Sequence, residues 1–189
     1  DWQMFRIRLS AKKLYGSKVI VLGAGSIGGH LRPVLEALGC SVVLFAKQSQ
    51  VELRSLDDLD NYLPEADIVT GCLPHVPETV GMINANRLSH FKDGAIFVNV
   101  GRGSLVDEEA LIEALQNGKL GGAVLDVTAN EPLPTDSPLW TCTNTILTQH
   151  TSGGYANELI DKTHFFLNNL QRYQAGEPVW NIVDFEKGY

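Results

Sequence analysis

Apolar residues along this chain alternate between short continuous runs and longer stretches with helical spacing. The continuous runs are KVIVL at 18–22, SVVLF at 41–45, DIVTGCL at 67–73, AIFVNV at 95–100, GAVLDV at 122–127 and NTILT at 144–148. Near-continuous apolar strands separated by helices are typical of a parallel sheet that is covered on both faces. The pattern therefore predicts a doubly wound α/β domain.

The stretches between these runs predict helices that end at ordinary stop signals. After the first strand, apolar residues recur at helical spacing from Ile27 to Leu38, and Gly39 follows as a stop. Pro33 lies inside this helix and lacks a backbone donor, so we expect a kink or a loosened turn there. A later helix is led by three acids at 107–109, which suit the helix dipole, and Gly118 can close it.

A last amphipathic helix is predicted from about Asn157 to Ala175. Gly176 follows it as a stop, and Pro178 prevents the helix from resuming. The residues that recur on one face of this helix are Leu159, Thr163, Phe166, Leu167 and Leu170.

The charge balance of the chain argues against several classes of partner. Its 189 residues carry 15 Lys and Arg against 22 Asp and Glu, a net charge of −7, whereas nucleic-acid surfaces need clustered cations. No apolar run approaches the ~18 residues that span a bilayer. Three widely spaced cysteines without a C-x-x-C pair are typical of reduced thiols in a cytosolic protein. We therefore predict a cytoplasmic protein that binds neither nucleic acid nor membrane and holds no metal.

A glycine-rich turn joins the first predicted strand to the first predicted helix. Gly23, Gly25 and Gly28 form the pattern G-x-G-x-x-G, with Ser26 and Ile27 between the last two glycines. In this context the first glycine permits a tight turn, the second lets a pyrophosphate approach, and the third lets helix pack on strand. The helix N-terminus then offers free N–H groups to the anion. We predict a Rossmann-type sheet that binds a dinucleotide through these five residues.

The end of the second predicted strand bears on the choice between NAD and NADP. An acid at this position would hold the ribose 2′-hydroxyl of NAD, and it would repel the 2′-phosphate of NADP. This chain has Ala46 at that position and Lys47 after it, in the segment FAKQS at 45–49. The absence of an acid beside a cation favours NADP. If Lys47 is only a solvated loop residue, NAD remains possible.

Three ionisable residues follow directly on predicted strands. Arg102 comes after the 95–100 run, Glu131 after the 122–127 run and His150 after the 144–148 run. In open α/β sheets, ligands bind outside the carboxyl ends of the strands. Arg can bind a substrate carboxylate, His can transfer a proton near neutral pH, and a carboxylate can orient that His. Each residue taken singly has a plain alternative as a loop charge or a turn residue.

Six ordered blocks of the sequence resemble those of the D-isomer-specific 2-hydroxyacid dehydrogenases. They are GAGSIGG at 23–29, LPHVPETVGMIN at 73–84, FVNVGRGSLVDEEALIEAL at 97–115, GGAVLDVTANEPLP at 121–134, SPLW at 137–140 and LTQHTSGG at 147–154. The resemblance runs from about residue 16 to the end of the chain. It implies that Arg102 binds substrate and that Glu131 pairs with His150, the general acid/base.

The resemblance also implies a set of cofactor contacts. It places Asp126 at the nicotinamide, and it places Leu73, Pro74 and Thr79 along the cofactor. His75 belongs to the same segment, where a cofactor contact and a simple loop role both remain open. One departure from the family pattern is Gln149, which stands where the family usually has Pro before the catalytic His.

The resemblance implies a domain organisation as well. We expect residues 1–16 to be a remnant of a preceding segment, 17–154 to form the dinucleotide-binding domain, and 155–189 to return to a substrate domain. That substrate domain would be built mainly from sequence before the cofactor domain, so most of it is expected to be absent from this chain. The family also implies a homodimer through the cofactor domain.

The function implied is hydride transfer between NADP(H), or NAD(H), and a small 2-oxo or 2-hydroxy acid such as glyoxylate or hydroxypyruvate. The reaction would be D-specific, and these 189 residues alone are expected to be weakly active or inactive. A dinucleotide-sensing, corepressor-like binding module of the same family is the alternative. A formate-dehydrogenase-like chemistry is a third interpretation, although such relatives pair their His with an amide rather than with an acid such as Glu131.

Overall fold

The computed structural model describes residues 11–47 and 50–186 of the chain. Most of the remnant predicted at 1–16 lies outside these ranges, as do Gln48 and Ser49 of the segment after the second strand. The chain forms two compact units, one that extends to Gln149 and one that begins at His150.

The first unit is built on a parallel sheet, as the apolar runs predict. Its described residues form six strands in the order β2-β1-β3-β4-β5-β6, and all neighbouring pairs are parallel. After β2 the chain crosses to the other side of β1, so the direction of winding reverses between β1 and β3. The strands are β1 (Lys18–Leu22), β2 (Ser41–Phe45), β3 (Ile68–Gly71), β4 (Ala95–Asn99), β5 (Leu120–Leu125) and β6 (Thr145–Leu147).

Helices follow the strands on both faces of the sheet. In the first unit they are α1 (Ser26–Ala37), α2 (Leu56–Tyr62), α3 (Ala85–His90) and α4 (Glu108–Gln116). The second unit contains α5 (Glu158–Gln174). Alternate residues of β1 show the two covered faces directly. Ile20 and Leu22 belong to one buried cluster, and Val19 and Val21 belong to another. Because side chains alternate across a strand, these clusters lie on opposite faces of the sheet. The doubly wound α/β fold is thus confirmed.

Pro33 does not interrupt α1. The helix runs without a break from Ser26 to Ala37 with Pro33 inside it, and Gly39 follows with a φ of 84°. The exposed Pro33 therefore marks no helix boundary, whereas the predicted stop at Gly39 is confirmed.

Helix α2 lies in the polar stretch between the second and third strands, for which the hydrophobic pattern predicts no helix. The hydroxyl of Ser55 accepts a hydrogen bond from the Asp58 N–H, and the Asp58 carboxylate accepts one from the Ser55 N–H. This reciprocal capping box satisfies two of the N–H groups that a helix start leaves without partners. It also holds the pKa of Asp58 below its usual value, chiefly through the hydrogen bond with Ser55.

Strand β3 ends earlier than the apolar run DIVTGCL predicts. The run extends to residue 73, but the strand ends at Gly71, and Cys72 donates from its N–H to the Leu22 carbonyl at 2.8 Å. Pro74 has no backbone N–H to donate to a sheet ladder, so the strand cannot continue through it. The chain therefore leaves the sheet at Cys72 and Leu73, which become loop residues at the carboxyl edge.

The second unit contains α5 and the tail that follows it. The helix carries no buried residue, and Leu159 and Phe166 are well exposed. Gly176 ends it with a φ of 71°, as predicted. The tail then folds against the helix end, because Asn169 exchanges two hydrogen bonds with the Trp180 backbone and Arg172 lies 4.5 Å from the centre of the Trp180 ring.

Asp67 precedes β3 and links its amino end to the amino ends of β1 and β4. This link makes the stability of the fold depend on pH. Its carboxylate accepts from the Lys18 N–H at 2.9 Å and from Lys92 Nζ at 2.6 Å. Burial acts to raise its pKa, but the hydrogen bonds from Lys92 and Lys18 outweigh it and hold the pKa below the usual value. A lowered pKa stabilises the fold above pH ~4, and that contribution disappears as pH falls through the lowered pKa.

Replacement of Asp67 by Asn is therefore expected to lower the free energy of unfolding by about 1 kcal/mol at pH 7. The difference from the original chain should shrink steadily below pH ~4, where the carboxylate takes up a proton. Urea unfolding at several pH values measures both effects, with the exposed Asp136→Asn as the matched control. A difference that stays constant down to pH ~2.5 would contradict this account.

Candidate functional site

The glycine loop is packed tightly against the ends of two neighbouring strands. Gly23 donates from its N–H to the Phe45 carbonyl at 2.9 Å, and its φ of 118° is a conformation that favours glycine. A Cβ on Gly28 would lie 1.9 Å from the Gly23 carbonyl oxygen, so α1 approaches β1 too closely for any side chain. Both glycines are fixed by the backbone, in the way the G-x-G-x-x-G pattern predicts.

The start of α1 is suited to hold an anion. Gly25 is the N-cap and has no side chain that could accept from the first-turn N–H groups, and nothing lies within 4 Å of the place of its Cβ. Ser26 and Ile27 are exposed beside it. An uncapped helix start with open space above a glycine fits a pyrophosphate group, which accepts hydrogen bonds from such N–H groups.

Ala46 and Lys47 follow β2 next to the glycine loop, because Phe45 is the residue that accepts from Gly23. Lys47 is exposed. Glu52, which the sequence analysis did not consider, also reaches this strand: its carboxylate accepts from the Leu44 N–H at 3.1 Å and lies 2.8 Å from Arg32 Nη1. Burial acts to raise the Glu52 pKa, but the hydrogen bonds from Leu44 and Arg32 keep it low. Arg32 is shared by two acids, because its Nε also lies 2.9 Å from a carboxylate oxygen of Glu36.

The loop after β3 is held in its conformation by hydrogen bonds of the Thr79 side chain. Thr79 Oγ1 lies 2.7 Å from the Pro74 carbonyl oxygen and accepts from the Val76 N–H at 3.1 Å. Leu73, Pro74 and Thr79 are each half-buried. This bracing closes the segment into a turn at the carboxyl edge of the sheet.

Close backbone contacts join four loops along this edge in the order of the strands. A Cβ on Gly23 would lie 3.0 Å from the Cys72 carbonyl oxygen, and one on Gly101 would lie 2.7 Å from that of Leu73. A Cβ on Gly103 would lie 1.8 Å from the carbonyl oxygen of Thr128. The loops that follow β1, β3, β4 and β5 thus pack side by side. The structure brings the predicted cofactor residues and Arg102 to one edge.

Arg102 is held by a buried residue that the sequence analysis missed. Asn99 is fully buried at the end of β4, where its amide donates to the Arg102 carbonyl at 3.0 Å and accepts from the Gly101 N–H at 3.1 Å. The Arg102 side chain is exposed, and Nη1 donates to the Gly101 carbonyl at 2.7 Å. Asn99 therefore sets the turn from which the guanidinium projects. The sequence shows only a polar residue inside the apolar run AIFVNV, and no local pattern there gives its partners.

The acids after β5 are anchored differently from each other. Asp126 is buried, accepts from Thr148 Oγ1 at 2.5 Å and donates from its N–H to the Asn99 carbonyl at 3.0 Å. Glu131 is exposed, and its carboxylate accepts from the Thr128 N–H at 3.1 Å. Asp126 is thus tied to the neighbouring strand ends, whereas Glu131 closes the loop that packs on Gly103.

His150 is the first residue of the second unit. It is exposed, and its φ of 53° lies in the left-handed region that non-glycine residues rarely adopt. Such backbone costs of the order of 1–3 kcal/mol and is concentrated at functional sites. The other predicted site residues all belong to the first unit.

Cys72 lies at the centre of these loops but is not suited to act as a nucleophile. Burial raises the pKa of its thiol to about 11, because the charged thiolate is disfavoured away from water. At pH 8 only about 0.1% of such a thiol is ionised.

We expect iodoacetamide to label Cys72 at least a hundredfold more slowly than a free cysteine at pH 8, with the rate rising tenfold per pH unit. Mass spectrometry of peptides at several pH values measures this rate, and rapid labelling at pH 8 would contradict it.

Fold and site together define a dinucleotide-binding domain of the Rossmann type. The family model for the D-isomer specific 2-hydroxyacid dehydrogenase NAD binding domain matches residues 1–152. The chain therefore belongs to this family, as the six sequence blocks predict, and carries its nicotinamide dinucleotide-binding domain.

Curated and solved relatives agree with this family. Glyoxylate/hydroxypyruvate reductase A of Escherichia fergusonii is 33% identical over 174 residues, which cover 89% of this chain and 55% of that protein. A D-isomer specific 2-hydroxyacid dehydrogenase from Xanthobacter autotrophicus, solved with NADPH, is 38% identical, with a TM-score of 0.83 over 92% of this chain and 73% of that one. An NADPH-dependent glyoxylate/hydroxypyruvate reductase from Sinorhizobium meliloti, solved with NADP, is 29% identical, with a TM-score of 0.84 over 92% and 57% of the two chains.

This chain spans about half the length of the curated relatives it matches. Within its described residues, no helix is both long enough and apolar enough to cross a membrane.

Proposed function

We propose that the protein to which this chain belongs is an NADP(H)-dependent oxidoreductase that reduces a small 2-oxo acid to the D-2-hydroxy acid. The observation that carries the proposal is the packing of the Arg102 loop and the glycine loop against the same segment, Cys72–Leu73. Ligands of open α/β sheets bind at this edge. The reductases among the relatives support the same reaction class.

The chain's own residues would hold the cofactor, which when bound supplies the hydride. The first-turn N–H groups at Gly25 and Ser26 would bind the pyrophosphate. The exposed Lys47 would bind a 2′-phosphate, and Ala46 would leave room for it without the repulsion of an acid. The relatives solved with NADPH and NADP support this preference over NAD.

The substrate would be held and protonated by three residues. Arg102 would bind the carboxylate and polarise the carbonyl oxygen, and its exposure at a fixed turn supports this role. His150 would deliver a proton to that oxygen, and its left-handed backbone supports a functional position. Glu131 would orient the histidine, as the family resemblance implies. Asp126 would lie at the nicotinamide, and Leu73, Pro74 and Thr79 would lie along the cofactor, as the family resemblance implies.

The assignment of segments and partners is also part of this proposal. Residues 17–154 would form the cofactor domain, and residues 155–189 would return to a substrate domain that is mostly absent from this chain. The exposed apolar residues of α5 support such a role, because large exposed apolar patches mark interaction surfaces. The full-length protein would be a cytoplasmic homodimer through its cofactor domain.

Turnover by the full-length protein tests this function. We expect NADPH absorbance to fall in the presence of glyoxylate or hydroxypyruvate, with chiral chromatography of the product from a substrate such as hydroxypyruvate showing the D-isomer. Residues 1–189 alone should be weakly active or inactive. Binding of NADPH without turnover of any 2-oxo acid would instead support the corepressor-like module, which the named reductases among the relatives do not favour.

A further inference from the structure

A histidine with no assigned role is tied directly to the Arg102 loop. His75 is exposed in the loop after β3, and its Nδ1 lies 2.6 Å from Ser104 Oγ. Ser104 is two residues beyond Arg102, so the two positions are at most about 7 Å apart along the chain. The imidazole of His75 is therefore held beside the turn that presents the guanidinium.

Two further contacts fix the loop of His75 on either side of this hydrogen bond. Before it, the Leu73 backbone packs on Gly101, where a Cβ would lie 2.7 Å from the Leu73 carbonyl oxygen. After it, the Gly81 N–H donates to the Ser104 carbonyl at 2.8 Å. The backbone on both sides of His75 is therefore held in place at the carboxyl edge of the sheet.

The hydrogen bond to Ser104 leaves Nε2 on the opposite side of an exposed ring. If Nδ1 accepts from the Ser104 hydroxyl, Nε2 carries a proton and donates; if Nδ1 donates, Nε2 of the neutral ring accepts. A hydroxyl group can both donate and accept, so it matches Nε2 in either tautomer. A methyl group or a hydrogen atom matches neither.

We propose that His75 is a substrate-specificity residue whose Nε2 hydrogen-bonds the C3 hydroxyl of a 3-hydroxy-2-oxo acid. This inference rests on the proposed function, in which Arg102 binds the C1 carboxylate. In such a substrate the C3 hydroxyl is only two carbons from the C1 carboxylate that Arg102 would bind. A group that contacts this hydroxyl must therefore lie close to the Arg102 turn, and His75 does, through its hydrogen bond with Ser104. Hydroxypyruvate is the smallest substrate of this class, and pyruvate and glyoxylate lack the hydroxyl.

Steady-state kinetics of the full-length protein with NADPH and these three substrates test the inference. His75→Ala is expected to lower kcat/KM for hydroxypyruvate roughly tenfold, the loss typical of one hydrogen bond. For pyruvate and glyoxylate the change should stay within about twofold, because neither uses the lost group. The matched control is His90→Ala, which removes an exposed histidine from the C-terminal end of α3.

Two amide variants separate substrate recognition from bonding to Ser104. Asn reaches about as far as Nδ1, so His75→Asn keeps a group for Ser104 and should lose the preference for hydroxypyruvate as Ala does. Gln reaches about as far as Nε2, so His75→Gln should retain most of that preference. The opposite ranking of the two variants would overturn the inference and leave His75 as a brace of the loop.

Comparison of the three substrates also separates the role of His75 from the proposed reductase activity. An equal loss for all three substrates, or no loss for any, would overturn the role of His75 while leaving the proposed reductase intact. No turnover of any 2-oxo acid by the unmodified full-length protein would overturn the proposed function and this inference with it.

Discussion

Replacement of His150 by Asn in the full-length protein is expected to lower kcat by about 10²–10⁴-fold. Asn is tolerated in the left-handed conformation that His150 adopts, with its φ of 53°, so the backbone should stay in place. What is lost is a side chain that can transfer a proton, and general acid catalysis contributes a factor of this size. Steady-state kinetics with a 2-oxo acid measure kcat, and the KM for NADPH should change little.

The control for this variant is His90→Asn, because His90 is an exposed histidine at the C-terminal end of α3 and has no proposed role. Its kcat should stay within about twofold of the unmodified protein, as for a surface substitution away from the site. If His150→Asn also turned over within about twofold, His150 would not be the proton-transfer residue.

Replacement of Gly28 by Ala is expected to lower the free energy of unfolding by about 3 kcal/mol and to abolish dinucleotide binding. A Cβ at this position would lie 1.9 Å from the Gly23 carbonyl oxygen, which is backbone and cannot rotate away. The start of α1 would have to move from the end of β1, and the first-turn N–H groups would move with it. Urea unfolding and calorimetric titration with NADPH measure the two losses.

Gly29→Ala is the matched control one residue further along α1. Its Cβ would meet only the Ala24 carbonyl oxygen at 4.0 Å, an ordinary contact. Ala is the better helix former, so this variant should be more stable than the original chain by about 0.5–1 kcal/mol. Equal stability of the two variants would contradict the close approach of α1 and β1.

The parallel sheet could be predicted because its strands are nearly continuous apolar runs. Strand β1 shows this clearly, because four consecutive apolar residues indicate that both of its faces are buried. The structure buries all four of them, Val19, Ile20, Val21 and Leu22. The glycine loop could be predicted for a related reason. Gly23 and Gly28 are fixed by close backbone contacts, Gly25 leaves open space for a pyrophosphate, and the three glycines follow a strand and open a helix.

Other parts of the site depend on contacts that no local pattern encodes. Asn99 is read as part of an apolar run, and only the packing of Gly101 and Arg102 above it shows that its amide sets their turn. The hydrogen bond between His75 and Ser104 joins residues 29 positions apart. Helix α2 is different, because its capping box at Ser55 and Asp58 could have been recognised from the sequence.

Calorimetric titration of the 189-residue chain with NADPH and with NADH tests the central claim most directly. If the carboxyl edge of this sheet is an NADP(H) site, NADPH should bind at least about tenfold more tightly than NADH, since the 2′-phosphate adds a charge-assisted contact with Lys47. Lys47→Ala should remove most of that difference without affecting NADH. Equal or tighter binding of NADH would contradict the role of Lys47, and binding of neither dinucleotide would contradict the site itself.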